Sequence, residues 1–142
     1  MNGFPLYPVG FVRSSVKTVL PPESFRDIES EILISPCFEA ALEGLREESS
    51  IVVLFRFHLS QSYSLSVHPR GDLARPLKGV FATCSPNRPN HIGLSRVPLL
   101  EIIGNRILVR CLDAVDGTPV IDIKPFRHMD LSDHLPLPAN GE

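Results

Sequence analysis

The sequence predicts a mainly β, single-domain small β-barrel with one short helix. Three observations lead there. Eight short runs are rich in Val, Ile, Leu and Phe, and several alternate apolar and polar residues with period two. Fourteen prolines interrupt the chain too often for long helices, because each lacks an N–H and fixes its own φ. Only one stretch carries an apolar stripe at helical spacing. The 142-residue chain is 43% hydrophobic, enough to close one core, and its length fits one domain.

In chain order, the strand signals are Tyr7–Ser14, Ile28–Ser35, Ile51–Ser60, Tyr63–His68, Lys78–Thr83, Val97–Gly104, Arg106–Ala114 and Thr118–Pro125. Tyr63, Leu65 and Val67 share a face, as do Ile107, Val109 and Cys111. The helical signal is Cys37–Glu47, with Phe38, Ala41, Leu42 and Leu45 on one side and acids on the other. Ile103-Gly104-Asn105-Arg106 reads as a tight hairpin turn, since Gly and Asn tolerate positive φ. Asp116-Gly117-Thr118-Pro119 reads as another turn, with Asp116 as its structural cap. Short strands with one helix favour a closed or nearly closed barrel over residues 1–126. Residues 127–142 form a polar, proline-rich tail.

A net charge of −2 argues against a generic polyanion binder. The charge is uneven, however. From Arg56 to Arg96 there are six cations against the single acid Asp72, and both flanks are acidic. A basic middle in an acidic whole suits an anionic ligand. Cys37, Cys84 and Cys111 are odd in number and widely spaced. They predict neither a disulfide framework nor a zinc site, and so a reducing compartment. No run approaches the ~18 apolar residues of a membrane span, and the first residues lack the pattern of a secretory signal. The expectation is a cytoplasmic protein without metal or membrane.

Glycine-rich phosphate loops, H-E-x-x-H and G-x-S-x-G are missing from the sequence. The informative passage is Gly79–Ser95, "GVFATCSPNRPNHIGLS". It opens as an apolar run, and two prolines then stiffen a polar loop. Arg88 lies in that loop with Asn87 and Asn90. It either grips a carboxylate or phosphate with two parallel bonds, or holds loop carbonyls. His58 ends the apolar run "VVLFRF", where a barrel mouth would meet a ligand. Asp113 lies in an otherwise apolar strand end. A carboxylate there needs a partner, either ligand hydroxyls or backbone amides.

"YPVGFVRSSVKT", "FRFHLS", "GVFATCSPNRPNHIGLS" and "LDAVDGTPVIDIKPF" resemble, in that order, the TsaA/YaeB/TrmO-like family. The resemblance spans roughly Tyr7 to Phe126. It implies a YaeB-like β-barrel that works as a homodimer and uses S-adenosylmethionine to methylate the exocyclic nitrogen of threonylcarbamoyl-adenosine beside the anticodon of a tRNA. It places cofactor contacts on Pro22, Glu23, Ser24, His58, Leu59, Cys84, Leu94, Leu112, Asp113, Ala114 and Val115. Arg88 and Asn90 would shape the pocket or face the substrate, and Arg70 and Arg75 would track nucleic acid. No general base is implied.

The chain departs from the family pattern at Cys84, where Arg is usual, and at His91, where Pro is usual. Ser50 stands for a usual His, and the "SVHPRGD" stretch keeps only part of the family's motif. These departures keep open an alternative: a non-catalytic S-adenosylmethionine-binding or sensor module, or a methyltransferase for a smaller acceptor.

Overall fold

A computed structural model describes residues 2–129. The eight strands are β1 (Gly10–Arg13), β2 (Glu29–Ile34), β3 (Ser50–Arg56), β4 (Ser66–Val67), β5 (Lys78–Gly79), β6 (Ile92–Ile103), β7 (Arg106–Arg110) and β8 (Pro119–Pro125). Six of them close a barrel in the order β1-β2-β7-β6-β3-β8, and β4 and β5 form a separate two-stranded ribbon. All pairings are antiparallel. Closure removes the sheet edges that would otherwise invite pairing with another chain.

Alternation fills the inside. Ile51, Val53 and Phe55 of β3 meet Val12, Ile32, Ile107, Val109, Val97 and Val120 from the other barrel strands, all at most 2% exposed. Glycine at position 93 is a packing requirement. A Cβ there would come within 2.6 Å of the Phe55 ring and 2.9 Å of the Phe57 ring. Those two rings meet edge to face at 5.3 Å, the arrangement their quadrupoles prefer, and together they plug one barrel end.

Each of the eight sequence runs contains a strand, but the boundaries move for local reasons. The first strand begins at Gly10 rather than Tyr7, and residues 2–8 are exposed. The run Lys78–Thr83 pairs only through Lys78–Gly79 and then turns as a 3₁₀ segment, Val80–Ala82. Strand β6 starts at Ile92, five residues before the expected Val97, because Ile92–Arg96 pairs with β3. Strand β7 stops at Arg110, where Cys111 takes φ +68°, a value costly for a side chain with a Cβ. The helical segment is present as two 3₁₀ pieces, Pro36–Leu42 and Leu45–Glu47, with Gly44 at φ +85° between them. Leu42 and Leu45 pack on the core; Phe38 stays 43% exposed. Of the tail, the 3₁₀ turn Phe126–Met129 is described, and residues 130–142 lie outside the described residues.

Gly93→Ala is expected to lower the unfolding free energy by about 1–3 kcal/mol, the scale of overpacking a filled core. Urea denaturation checks it, with a reduced midpoint and an unchanged m-value.

Candidate functional site

At the end plugged by Phe55 and Phe57, three separate parts of the chain meet around a cavity of about 410 Å³. The exit of β3 contributes Arg56 to Ser60, the proline loop contributes Cys84, Pro86 and Asn87, and the β7–β8 connection contributes Asp113, Ala114, Val115 and Thr118. Val19, Leu20, Pro22 and Phe25 complete the wall. The lining is mainly apolar with a few convergent polar groups, as in small-molecule sites of this size. Cavities of similar volume lie elsewhere among the described residues. One, about 470 Å³, runs along polar Arg13, Glu29 and Glu31; two more, about 460 and 420 Å³, are lined by the Pro36–Glu47 segment.

The proline loop is braced from within. Arg88 Nη1 donates to the carbonyls of Thr83 (2.8 Å) and Ser85 (3.3 Å), and its guanidinium carbon lies 6.0 Å from the Phe81 ring centre. His91, only 8% exposed, has Nδ1 at 3.0 Å from the Pro86 carbonyl. Asn90 and His91 take φ +64° and +53° in succession, and a proline cannot adopt the second value. The departure at His91 therefore carries its own backbone shape. Asn90 is exposed and Arg88 half-buried.

The structure gathers seven of the residues that the resemblance marks for the cofactor: Pro22, His58, Leu59, Cys84, Asp113, Ala114 and Val115. Leu112 lies in the core beneath them, 1% exposed. Leu94 lies outside the cavity; it pairs with Leu54 and is 60% exposed. Glu23 and Ser24 stand on the exposed turn Pro22–Phe25. The Glu23 carboxyl is held below its usual range, first by its own backbone amide and then by Arg70, whose Nη2 lies 2.5 Å away. Arg75 faces Asp72 at 3.5 Å. Two further cations of the basic middle have partners of their own: Arg96 stacks on Phe126 at 3.5 Å, and Arg88 binds the loop's carbonyls.

Sequence reasoning missed Phe25, Phe57, Thr118 and the aliphatic pair Val19–Leu20 as walls. It also missed Ser95, whose hydroxyl donates to Asp113 Oδ1. The alternation of Gly93, Ser95 and Val97 was the available signal, since it turns a serine toward an apolar interior.

Residues 15–131 match the family model of the tRNA-methyltransferase O N-terminal domain. The chain belongs to this family. A probable S-adenosyl-L-methionine-binding protein of Methanothermobacter thermautotrophicus is 49% identical over 84% of this chain and 87% of its own length. A mouse tRNA (adenine(37)-N6)-methyltransferase is 42% identical over 62% of this chain, but only 21% of its own. The crystal structure of TrmO from Pseudomonas aeruginosa superposes with a TM-score of 0.73 at 32% identity, covering 99% of this chain and 62% of that one. The chain thus spans under two thirds of that solved structure.

In this TrmO-family barrel, Asp116 ties the cavity's connecting loop to β1. Its Oδ1 accepts from the Ser14 amide at 2.9 Å, and its Oδ2 meets Lys17 Nζ at 2.8 Å. Its structural role stands, although its carboxylate reaches across the barrel seam. Lys17 and then the Ser14 amide hold its carboxyl below the ordinary carboxylate value of 3.8. A lowered folded value means that the stabilisation is complete above the unfolded pKa and is lost as pH falls through the folded one. Asp116→Ala is expected to melt lower than wild type at pH 7, with the gap closing below about pH 4. Asp116→Asn, which keeps the bond from Ser14, should lose less; thermal melts from pH 2 to 7 check both.

Proposed function

We propose that this chain is an S-adenosylmethionine-dependent methyltransferase acting on the exocyclic nitrogen of an adenosine beside a tRNA anticodon, with threonylcarbamoyl-adenosine as the specific acceptor. The observation that carries the reading is the convergence of three distant motifs on one cavity in a chain of this family. The residues suit such a cofactor. Phe25 and Phe57 offer apolar surface for a purine, and Asp113, His58 and the 113–115 backbone offer polar partners. Bound there, the cofactor supplies a methyl group on a cationic sulfur.

The chain's task is positioning. Methyl transfer is an in-line displacement, and holding two reactants in line supplies much of the rate. The braced proline loop provides a rigid rim on which the acceptor is placed. No side chain is assigned as a general base. Relatives named as S-adenosyl-L-methionine-binding proteins and the mouse tRNA methyltransferase support the cofactor and the acceptor class respectively.

A second reading is a non-catalytic cofactor-binding or sensor module, or an enzyme for a smaller acceptor. Cys84 favours it, because a short thiol lines the cavity where the family resemblance calls for an arginine. The two readings part at the nucleoside: only the first requires transfer to tRNA.

The reading includes a homodimer. Leu59 at the cavity, and Leu65, Leu77, Phe81 and Leu94 elsewhere on the chain, are each at least 51% exposed, apolar side chains of the kind that an interface covers. A second copy covering these side chains would bring Leu94 to a cofactor site from outside its own barrel. A tRNA acceptor also places the work in the cytoplasm. No helix among the described residues is long and apolar enough to cross a membrane.

Calorimetry is expected to show S-adenosylmethionine binding, and tRNA nucleosides from cells lacking the protein should lack one methyl group by mass. The absence of both heat and thermal shift at millimolar cofactor would contradict the reading. Light scattering should give twice the 15.7 kDa chain mass. The affinity for tRNA should fall steeply with salt as counterions are released. Arg70→Ala and Arg75→Ala should each flatten the slope by less than about one unit, because Glu23 and Asp72 already pair with them.

A further inference from the structure

Serine 95 occupies an anomalous position. On β6 it lies between Gly93 and Val97, both buried, and in register with the fully buried Val53. Its neighbours on that face of β6 and β3, Gly93, Val97, Ile51, Val53 and Phe55, are apolar or glycine. A hydroxyl turned into such a row needs a partner, since an unpaired one costs about 1–3 kcal/mol. Its partner is Asp113 Oδ1.

Asp113 is itself held from behind. Cys111, in its left-handed conformation, turns the chain at the end of β7. Leu112 and Ala114, 1% and 4% exposed, anchor the two sides of Asp113 in the core. The carboxylate lines the cavity, whereas Ser95 does not. Among the described residues, no Lys, Arg or His lies within ion-pairing distance of it. One carboxylate oxygen is thus engaged by Ser95, and the other has its lone pairs available at an apolar wall. A fixed carboxylate with no cation beside it suits neutral hydroxyl donors, which it binds by charge-assisted hydrogen bonds.

We infer that Ser95 is the positioning residue that aims the Asp113 carboxylate, a cofactor contact by the family resemblance, at the cofactor's ribose hydroxyls. This rests on the cofactor reading above and deepens it. Fixing an acceptor in one rotamer removes the freedom that binding would otherwise have to freeze. The pair therefore sets the preference for a ribosyl over a deoxyribosyl ligand.

The test measures a ratio of affinities. Binding of 5′-methylthioadenosine and of its 2′,3′-dideoxy counterpart is measured by calorimetry on the full chain. Neither probe carries the amino-acid end, so other cofactor contacts drop out. Wild type is expected to favour the diol roughly tenfold or more, the scale of a hydrogen bond to a charged group. Asp113→Ala should bring the ratio near one, Ser95→Ala should cut it several-fold, and Ser95→Thr should restore it. A merely structural role for Ser95 would weaken both probes alike and leave the ratio unchanged, which overturns the inference. Binding of neither probe by wild type overturns this inference; the cofactor reading falls with it only where S-adenosylmethionine itself also gives no heat.

Discussion

The seam where β1 closes onto β8 is the constraint on which the rest depends. Only two residue pairs form its ladder, Gly10 with Val120 and Phe11 with Pro119. So short a ladder is reinforced from both ends. The Val9 amide donates to the Val120 carbonyl and the Val12 amide to the Thr118 carbonyl, while the Gly117 amide returns a bond to the Val12 carbonyl. Gly117 needs its φ of +81° to do so, a conformation glycine adopts at little cost. Asp116 then binds Ser14 and Lys17. These bonds fix the 113–118 connection, and that connection is one wall of the cavity. The bonds that shut the barrel therefore also build the site.

The two barrel ends have different designs. One end is covered by the Pro36–Glu47 segment, whose 3₁₀ geometry and acidic exterior place Leu42 and Leu45 on the core. The other end is plugged by Phe55 and Phe57, which pack against each other only because position 93 lacks a Cβ. Above that plug sits the cavity, with rigid backbone on each side. The polar loop is held by Arg88 and His91 on its own carbonyls. Rigid placement of this kind suits a reaction that requires alignment more than proton transfer.

Much of this was legible in the sequence. Period-two alternation and β-branched runs located all eight strands, because strand pattern is a local property of which face is buried. Their ends were less legible, since Ile92–Arg96 becomes strand only through its partner β3, and Lys78–Thr83 leaves the ribbon after two residues. The helical stripe at Cys37–Glu47 was readable, but its 3₁₀ form was not, for apolar spacing alone does not separate i+3 from i+4 bonding. Within the candidate site, His58 and Asp113 were marked by their places at strand ends, and Cys84, Ala114 and Val115 only by the family resemblance; all five line the cavity. Ser95, Phe25 and Val19 were not marked, because their importance arises from distant chain segments meeting. Asp113 shows the difference well. Its need for a partner followed from burial of charge, while the partner's identity depended on the fold.

The central claim is that the wall built by the seam is where the cofactor binds. Backbone amide chemical shifts recorded during titration with S-adenosylmethionine test it most directly. The account predicts perturbations concentrated at residues 56–60, 84–87 and 113–118, with Asp116 and Gly117 reporting through the seam. Perturbations confined to the opposite end, at residues 38–48 and 122–125, or no perturbation anywhere, would contradict it.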